Sequence, residues 1–204
     1  MTRHLRVSGV CAVALCALAV LFGCAATSAP ARFHTLVPSI DAAAAASTRA
    51  APGVRVELLP VTLPVQVDVA QIVVRLPDDS MRALEHERWI APLADEIRAA
   101  LALRIDAALT DLPANTAASA PWRVALEVQR FDSTLGDAAS LQASWSLQQN
   151  GSSTALRCQL NDREPVASGP AALVAGHRAL LQRLGDAIGR AVRAAATGGT
   201  PTCR

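Results

Sequence analysis

The 204-residue chain carries 51% apolar residues, only 3% aromatic ones and no tyrosine, so its core must be built from Ala, Val, Leu and Ile. All of its 19 basic residues are arginine, and its formal charge is +2 against 17 carboxylates. No dense basic run interrupts that balance, which argues against nucleic acid as a partner, because phosphate binding needs a local positive field.

The chain begins with a short basic head at Arg3, His4 and Arg6, and Val10 to Phe22 follow without a charge. A charged head before a short apolar run is the secretory-signal pattern, too short for a stable bilayer span. The run ends in Leu21-Phe22-Gly23-Cys24, which resembles a bacterial lipobox. That resemblance implies diacylglycerol on the Cys24 thiol, cleavage before Cys24 and acylation of the new amine. Residues 1–23 are then a lipoprotein signal peptide and residues 24–31 a lipidated tether. Two or more acyl chains hold a protein on a membrane stably, where one holds it marginally.

Phe33-His34-Thr35-Leu36-Val37 reads as a first strand, and the alanine-rich stretch from Ser39 to Gly53 as a loop. Val54 to Leu63 reads as a strand, because Val54, Val56 and Leu58 alternate with Arg55 and Glu57. Gln71 to Leu76 is a second strand, closed by the turn cluster Pro77-Asp78-Asp79-Ser80, with Met81 to Glu87 as its hairpin partner. Ile90, Leu93, Ile97, Leu101, Ile105 and Leu109 recur at spacings of three and four and predict a half-buried helix over 90–110. Asp95 and Glu96 suit its positive N-terminal end.

Three alternating strands follow, around Trp122–Val128, Leu141–Leu147 and Leu156–Leu160. Asn150-Gly151 between the last two is a hairpin-turn signal, since both residues tolerate positive φ. Alternation gives each strand one dry and one wet face. Pro170 to Ala196 is the second helix, with His177 on its apolar face and Gly176, Gly185 and Gly189 as marks of close packing on the sheet. The expected fold class is α+β: a mostly antiparallel sheet with two main helices packed on one face. It occupies residues 32–196 as a single domain, followed by a flexible tail at 197–204.

Chemistry-bearing motifs are sparse. His34, His86 and His177 form no spaced cluster for zinc, and there is no phosphate loop and no nucleophile elbow. No metal, cofactor or catalytic residue is expected, and the chain does not read as an enzyme. Glu85-His86-Glu87 reads as a polar segment, His177 as a satisfied core histidine and Cys158 as packing. Cys158 and Cys203 are compatible with a disulfide in an oxidising compartment, and equally with a buried thiol and a loose terminal cysteine. Trp89 reads as core ahead of interface, and Arg75 as a structural charge pair ahead of a partner contact. Arg88 belongs with the exposed segment from Asp78 to Arg88, where a partner would bind.

The order of these segments resembles the PqiC-like family, auxiliary lipoproteins of ABC-type and MCE-type lipid transporters. The resemblance is carried by Cys24, Phe33-His34-Thr35-Leu36, Val56 to Pro64, Gln71 to Arg75, Arg88-Trp89-Ile90-Ala91-Pro92-Leu93, Trp122 to Phe131, Gly136 and Trp145. Phe33-His34 and Val65-Gln66-Val67 stand where the family commonly has tyrosine or another aromatic residue. The resemblance implies a fold similar to the small N-terminal domain of the Tol-system protein TolB. It also implies no enzymatic activity, and a membrane anchor at Cys24 in the inner leaflet of the outer membrane, facing the periplasm. Ala25 after the cysteine favours that membrane under the familiar sorting rule. The implied partners are an MCE-domain protein and the permease subunits of the transport complex, with a homo-oligomer as a further expectation. The competing expectation is a periplasmic scaffold lipoprotein of another envelope machine, docking in the Tol manner.

Overall fold

The structure is a computed structural model that describes residues 29–39, 54–112 and 120–203. Residues 31–204 form one compact unit. Residues 1–30 form another, of which only the exposed Ala29 and Pro30 are described. Cys24 and most of the alanine-rich stretch lie outside the described residues.

Among the described residues, seven strands and two helices follow in the order β1 (Arg32–His34), β2 (Val56–Leu58), β3 (Gln71–Arg75), β4 (Met81–Trp89), α1 (Leu93–Leu109), β5 (Trp122–Thr134), β6 (Ala138–Gln149), β7 (Ala155–Pro165) and α2 (Pro170–Ala196). They form an α+β fold with two sheets rather than one, ordered β1-β4-β3 and β2-β5-β6-β7. Each sheet is mixed, because β1 runs parallel to β4 and β2 parallel to β5, while the hairpin-linked pairs are antiparallel. Alternation along a strand reports which side chains are dry, not the direction of the neighbour, so the sequence could not reveal the parallel pairs.

The long strands follow their alternation. Val124, Leu126 and Val128 of β5 and Leu141, Ala143, Trp145 and Leu147 of β6 are buried. Glu127, Gln129, Gln142 and Arg157 stay on the wetter, opposite face. A register shift between Val128 and Arg130 lets Phe131 and Ser133 rejoin the dry side. Gly151, with φ +87°, takes the turn between β6 and β7.

Both helices pack on that dry face, α2 over β5, β6 and β7, and α1 beside α2 and over β2. They run in the same direction. Arg104 grips Asp186 through two hydrogen bonds of 2.6 and 2.9 Å, and four residues further along α1 the Ala108 carbonyl accepts from Arg193. A Cβ at Gly176 would lie 3.1 Å from Ala139 on β6, as expected of a sheet contact. Gly185 and Gly189 instead face α1, where an added Cβ would come within 2.8 Å of the Arg104 Cβ and 2.6 Å of the Ala108 Cβ. Those two glycines set the approach of the helices to each other, not to the sheet.

The helix expected from residue 90 starts at Leu93, with Pro92 as its N-cap. Leu93, Ile97, Leu101, Ile105 and Leu109 are buried as the stripe requires, but Ile90 is 59% exposed. Its N–H bonds the His34 carbonyl at 2.9 Å, so Ile90 still follows β1 and points away from the helix side. The segment from Met81 to Glu87, expected as the hairpin partner of Gln71–Leu76, is strand β4, which runs on to Trp89 and pairs antiparallel with β3, so Arg88 lies on a strand rather than in an exposed loop.

Candidate functional site

The polar groups of this fold converge on the strand that emerges from the tether. Arg32 and His34 alternate toward Glu87 of β4, the register partner of Arg32. Arg32 Nε donates to Glu87 Oε1 at 2.8 Å, its Nη2 pairs with the same oxygen, and His34 Nε2 lies 2.5 Å from Oε2. Glu87 is buried, which by itself raises a carboxyl pKa, yet the hydrogen bonds from His34 and Arg32 outweigh burial and hold it below the ordinary value. Exposed Glu85 and His86 take no part in this cluster.

One turn into α1, the buried Glu96 accepts from the Thr35 hydroxyl at 2.6 Å and from the Leu36 N–H at 2.7 Å. From α2, Arg178 donates to the Thr35 carbonyl through Nε at 3.0 Å and through Nη2 at 2.5 Å. Residues 32–36 are thus fastened to β4, α1 and α2 at once, and Leu36 is buried in the core. Sequence reasoning places Glu96 only as a complement to the helix end. The readable signal is its position: it falls between Leu93 and Ala100 on the dry stripe, where an unpaired charge would be costly. Removing its carboxylate in Glu96→Ala leaves the Leu36 N–H without an acceptor. The expected loss is about 1–3 kcal/mol, measured by urea unfolding, with faster amide exchange at Leu36 than elsewhere.

The other expected site residues disperse. Trp89 is 5% exposed and meets Phe131 edge-on, with centroids 6.3 Å apart. Arg75 pairs with Asp132 at 3.0 Å and reaches the Asp79 carbonyl at 3.3 Å, joining β3 to β5 at the end of the small sheet. Arg88 has no ion-pair partner among the described residues, and its buried Nε lacks an acceptor. Cys158 and Cys203 are joined, with an S–S distance of 2.07 Å. The segment after Thr197, expected as a flexible tail, is therefore tied to β7 at Cys203, and Cys158 is not a free thiol.

His177 is stacked on Phe131, with centroids 3.8 Å apart, and its Nε2 lies 2.8 Å from Ser133 Oγ. All three residues are buried. The ring is only half satisfied, since Nδ1 has no partner among the described residues. Burial pushes its pKa down to about 3. The unfolded chain takes up a proton near the ordinary value of 6.5 and the folded chain does not. Stability therefore falls as pH drops through the window from about 6.5 toward 3, by about 1.4 kcal/mol per pH unit once below the unfolded value. His177→Phe should flatten that slope between pH 6.5 and 5, above the carboxylate range. An unchanged slope in a chemical-denaturation series would refute the assignment.

Among the described residues there is no group of three or more His, Cys, Asp and Glu placed to hold a metal, and no helix long and apolar enough to cross a membrane. The uncovered face of the larger sheet forms an open groove of about 940 Å³, lined by Thr62, Glu127, Ser144, Ser146, Arg157 and Gln159 among others. It is broad, Leu59, Pro60, Leu126 and Trp145 add apolar surface to its polar rows, and its described lining brings together no convergent set of reactive groups.

Residues 34–189 match the model of a protein family described as the ABC-type transport auxiliary lipoprotein component. A crystal structure of an uncharacterized protein superposes with a TM-score of 0.64 at 13% identity, over 80% of this chain and 99% of the other. A protein of Xanthomonas campestris, assigned to a domain family of unknown function, superposes at 0.53 with 18% identity, over 68% of this chain and 84% of that one. These likenesses show a shared fold. No curated protein matches this chain by sequence.

Proposed function

This chain belongs to the family of ABC-type transport auxiliary lipoprotein components, and we propose that it is the outer-membrane-anchored subunit of an MCE-type intermembrane lipid transporter. In this reading the acyl chains on Cys24 hold it in the periplasmic leaflet, and the folded unit docks the periplasmic end of the transporter. The observation that carries the proposal is the fastening of residues 32–36. A tether transmits load only if the strand it joins is fixed to the body, and here three elements hold that strand through Glu87, Glu96 and Arg178. The tether is also short. Residues 25–31 at about 3.4 Å each reach at most about 25 Å, so the transporter must come to the protein.

The ionisable groups support docking rather than turnover. Glu87 and Glu96 bind the strand, Cys158 is tied in a disulfide, and His177 is buried and neutral. No catalytic step is assigned to any of them.

Mass spectrometry of the mature N-terminus tests the anchor, with a triacylated Cys24 as the expected start. Cys24→Ser should abolish the modification and displace the protein from the outer-membrane fraction. Affinity purification of the acylated protein should then recover an MCE-domain protein and a permease. Recovery of Tol–Pal components in their place would overturn the transporter assignment and leave the anchor standing.

A further inference from the structure

The outer side of the small sheet carries apolar side chains where water would be expected. In the parallel register of β1 and β4, Phe33 pairs with Arg88, while Arg32 and His34 turn the other way toward Glu87. Phe33 is 59% exposed. Ile90, two residues beyond Arg88 and so on the same side, is exposed to the same degree. Gln71 of β3 pairs with Arg88, the Trp89 N–H bonds the Ala70 carbonyl at 2.9 Å, and Val69, 41% exposed, immediately precedes Ala70 in the bend that leads into β3. Phe33, Ile90 and Val69 are therefore exposed apolar residues at the end of the small sheet that carries Arg88.

Arg88 differs from the other described arginines in having a buried Nε without a partner. Arg32, Arg75, Arg104, Arg163 and Arg183 each grip a carboxylate. Arg88 grips none among the described residues, and its Nε is buried without an acceptor. Glu87 beside it faces the opposite side and is already bound by Arg32 and His34. Asp68, next to Val69, makes no ion pair with Arg88 among the described residues. The result is a cation that lacks an anion, at an end of the small sheet that exposes apolar side chains. That combination suits the boundary between headgroups and acyl chains, where rings and aliphatic groups enter the apolar layer and a guanidinium meets phosphate.

The position of the patch selects the occupant. It includes β1, the first strand after the tether, and residues 25–31 carry no charge. A chain of that length cannot take β1 further than about 25 Å from acyl chains on Cys24. We propose that the Phe33–Arg88–Ile90–Val69 face lies on the leaflet that holds the Cys24 acyl chains and binds its anionic phospholipid headgroups. This rests on the anchored reading above. It adds an orientation: the outer side of the small sheet faces the membrane.

The test uses the full acylated lipoprotein with a photoreactive benzoyl-phenylalanine in place of Phe33 or Ile90, and of exposed Leu103 on α1 as control. The purified proteins are reconstituted in phosphatidylcholine vesicles with or without one quarter phosphatidylglycerol. Positions 33 and 90 should give lipid adducts and position 103 should not. Arg88→Gln should lower the adduct yield about fivefold in the anionic vesicles, the ratio that about 1 kcal/mol per basic residue near an anionic surface produces, and leave it unchanged in neutral ones. Equal yields at 33, 90 and 103, or no adduct at 33 and 90 on a protein shown to be acylated, would overturn the orientation alone. Crosslinks in cells running from 33 and 90 to protein instead of lipid would make the face a protein-docking surface. An unmodified Cys24 in the mass spectrum would overturn the anchor and this proposal together.

Discussion

Replacing Trp89 by alanine should cost about 3–5 kcal/mol, the range for removing a large buried aromatic side chain. The indole sits at the last position of β4 with 5% of its surface exposed, against the edge of Phe131. Phe131 in turn stacks on His177 of α2, so the ring joins the small sheet to the larger one and to the longer helix. A cavity there cannot collapse easily, because the core to which the indole belongs, Ile72, Val74 and Leu93 included, is itself fully buried and close-packed. For a unit of this size the loss corresponds to a fall in melting temperature of roughly 10 °C or more. Trp89→Phe should recover part of it. Thermal unfolding of the acylated protein decides the role: normal melting with failure to co-purify with the transporter would make Trp89 an interface residue in spite of its burial.

How far the sequence can be read depends on what each pattern encodes. Periodicity encodes dryness, so the two helix stripes and the alternation of β5, β6 and β7 are legible from residues such as Leu93, Ile97 and Leu101, and from Val124, Leu141 and Trp145. Periodicity does not encode partners. The parallel pairing of β1 with β4 joins residues more than fifty positions apart, and no local signal announces it. Ile90 misleads for the same reason: it falls on the helical spacing, yet its N–H belongs to the His34 carbonyl, and the chain has not turned into the helix. Glu87, Glu96 and Arg178 look like ordinary surface charges until the fold brings residues 32–36 between them. Arg88 stands out in the sequence beside Trp89, but only the structure separates their sides, the indole inward and Arg88 outward at the end of the small sheet that exposes apolar residues.

Removing the second cysteine should show how much the covalent tie contributes. The Cys158–Cys203 bond closes a loop with a sequence separation of 45 residues, which includes all of α2. A cross-link of that span restricts the unfolded chain by about 4 kcal/mol in the loop-entropy account, and measured losses for native disulfides run about 2–5 kcal/mol. Cys203→Ser leaves Cys158 in its buried place on β7, so the measured difference isolates the cross-link from core packing. Cys158→Ala should cost more, because it also removes a buried side chain. The tie has a second consequence at the sheet edge. β7 is the last strand of the larger sheet, and the terminal segment is held beside it, where an open edge would otherwise invite pairing with another chain. Cys203→Ser should therefore both lower the denaturation midpoint and increase self-association on concentration, as seen by light scattering. Wild type under reductant should match the variant in both respects. A variant as stable as the oxidised wild type would show that the bond neither restrains the unfolded chain nor guards the edge.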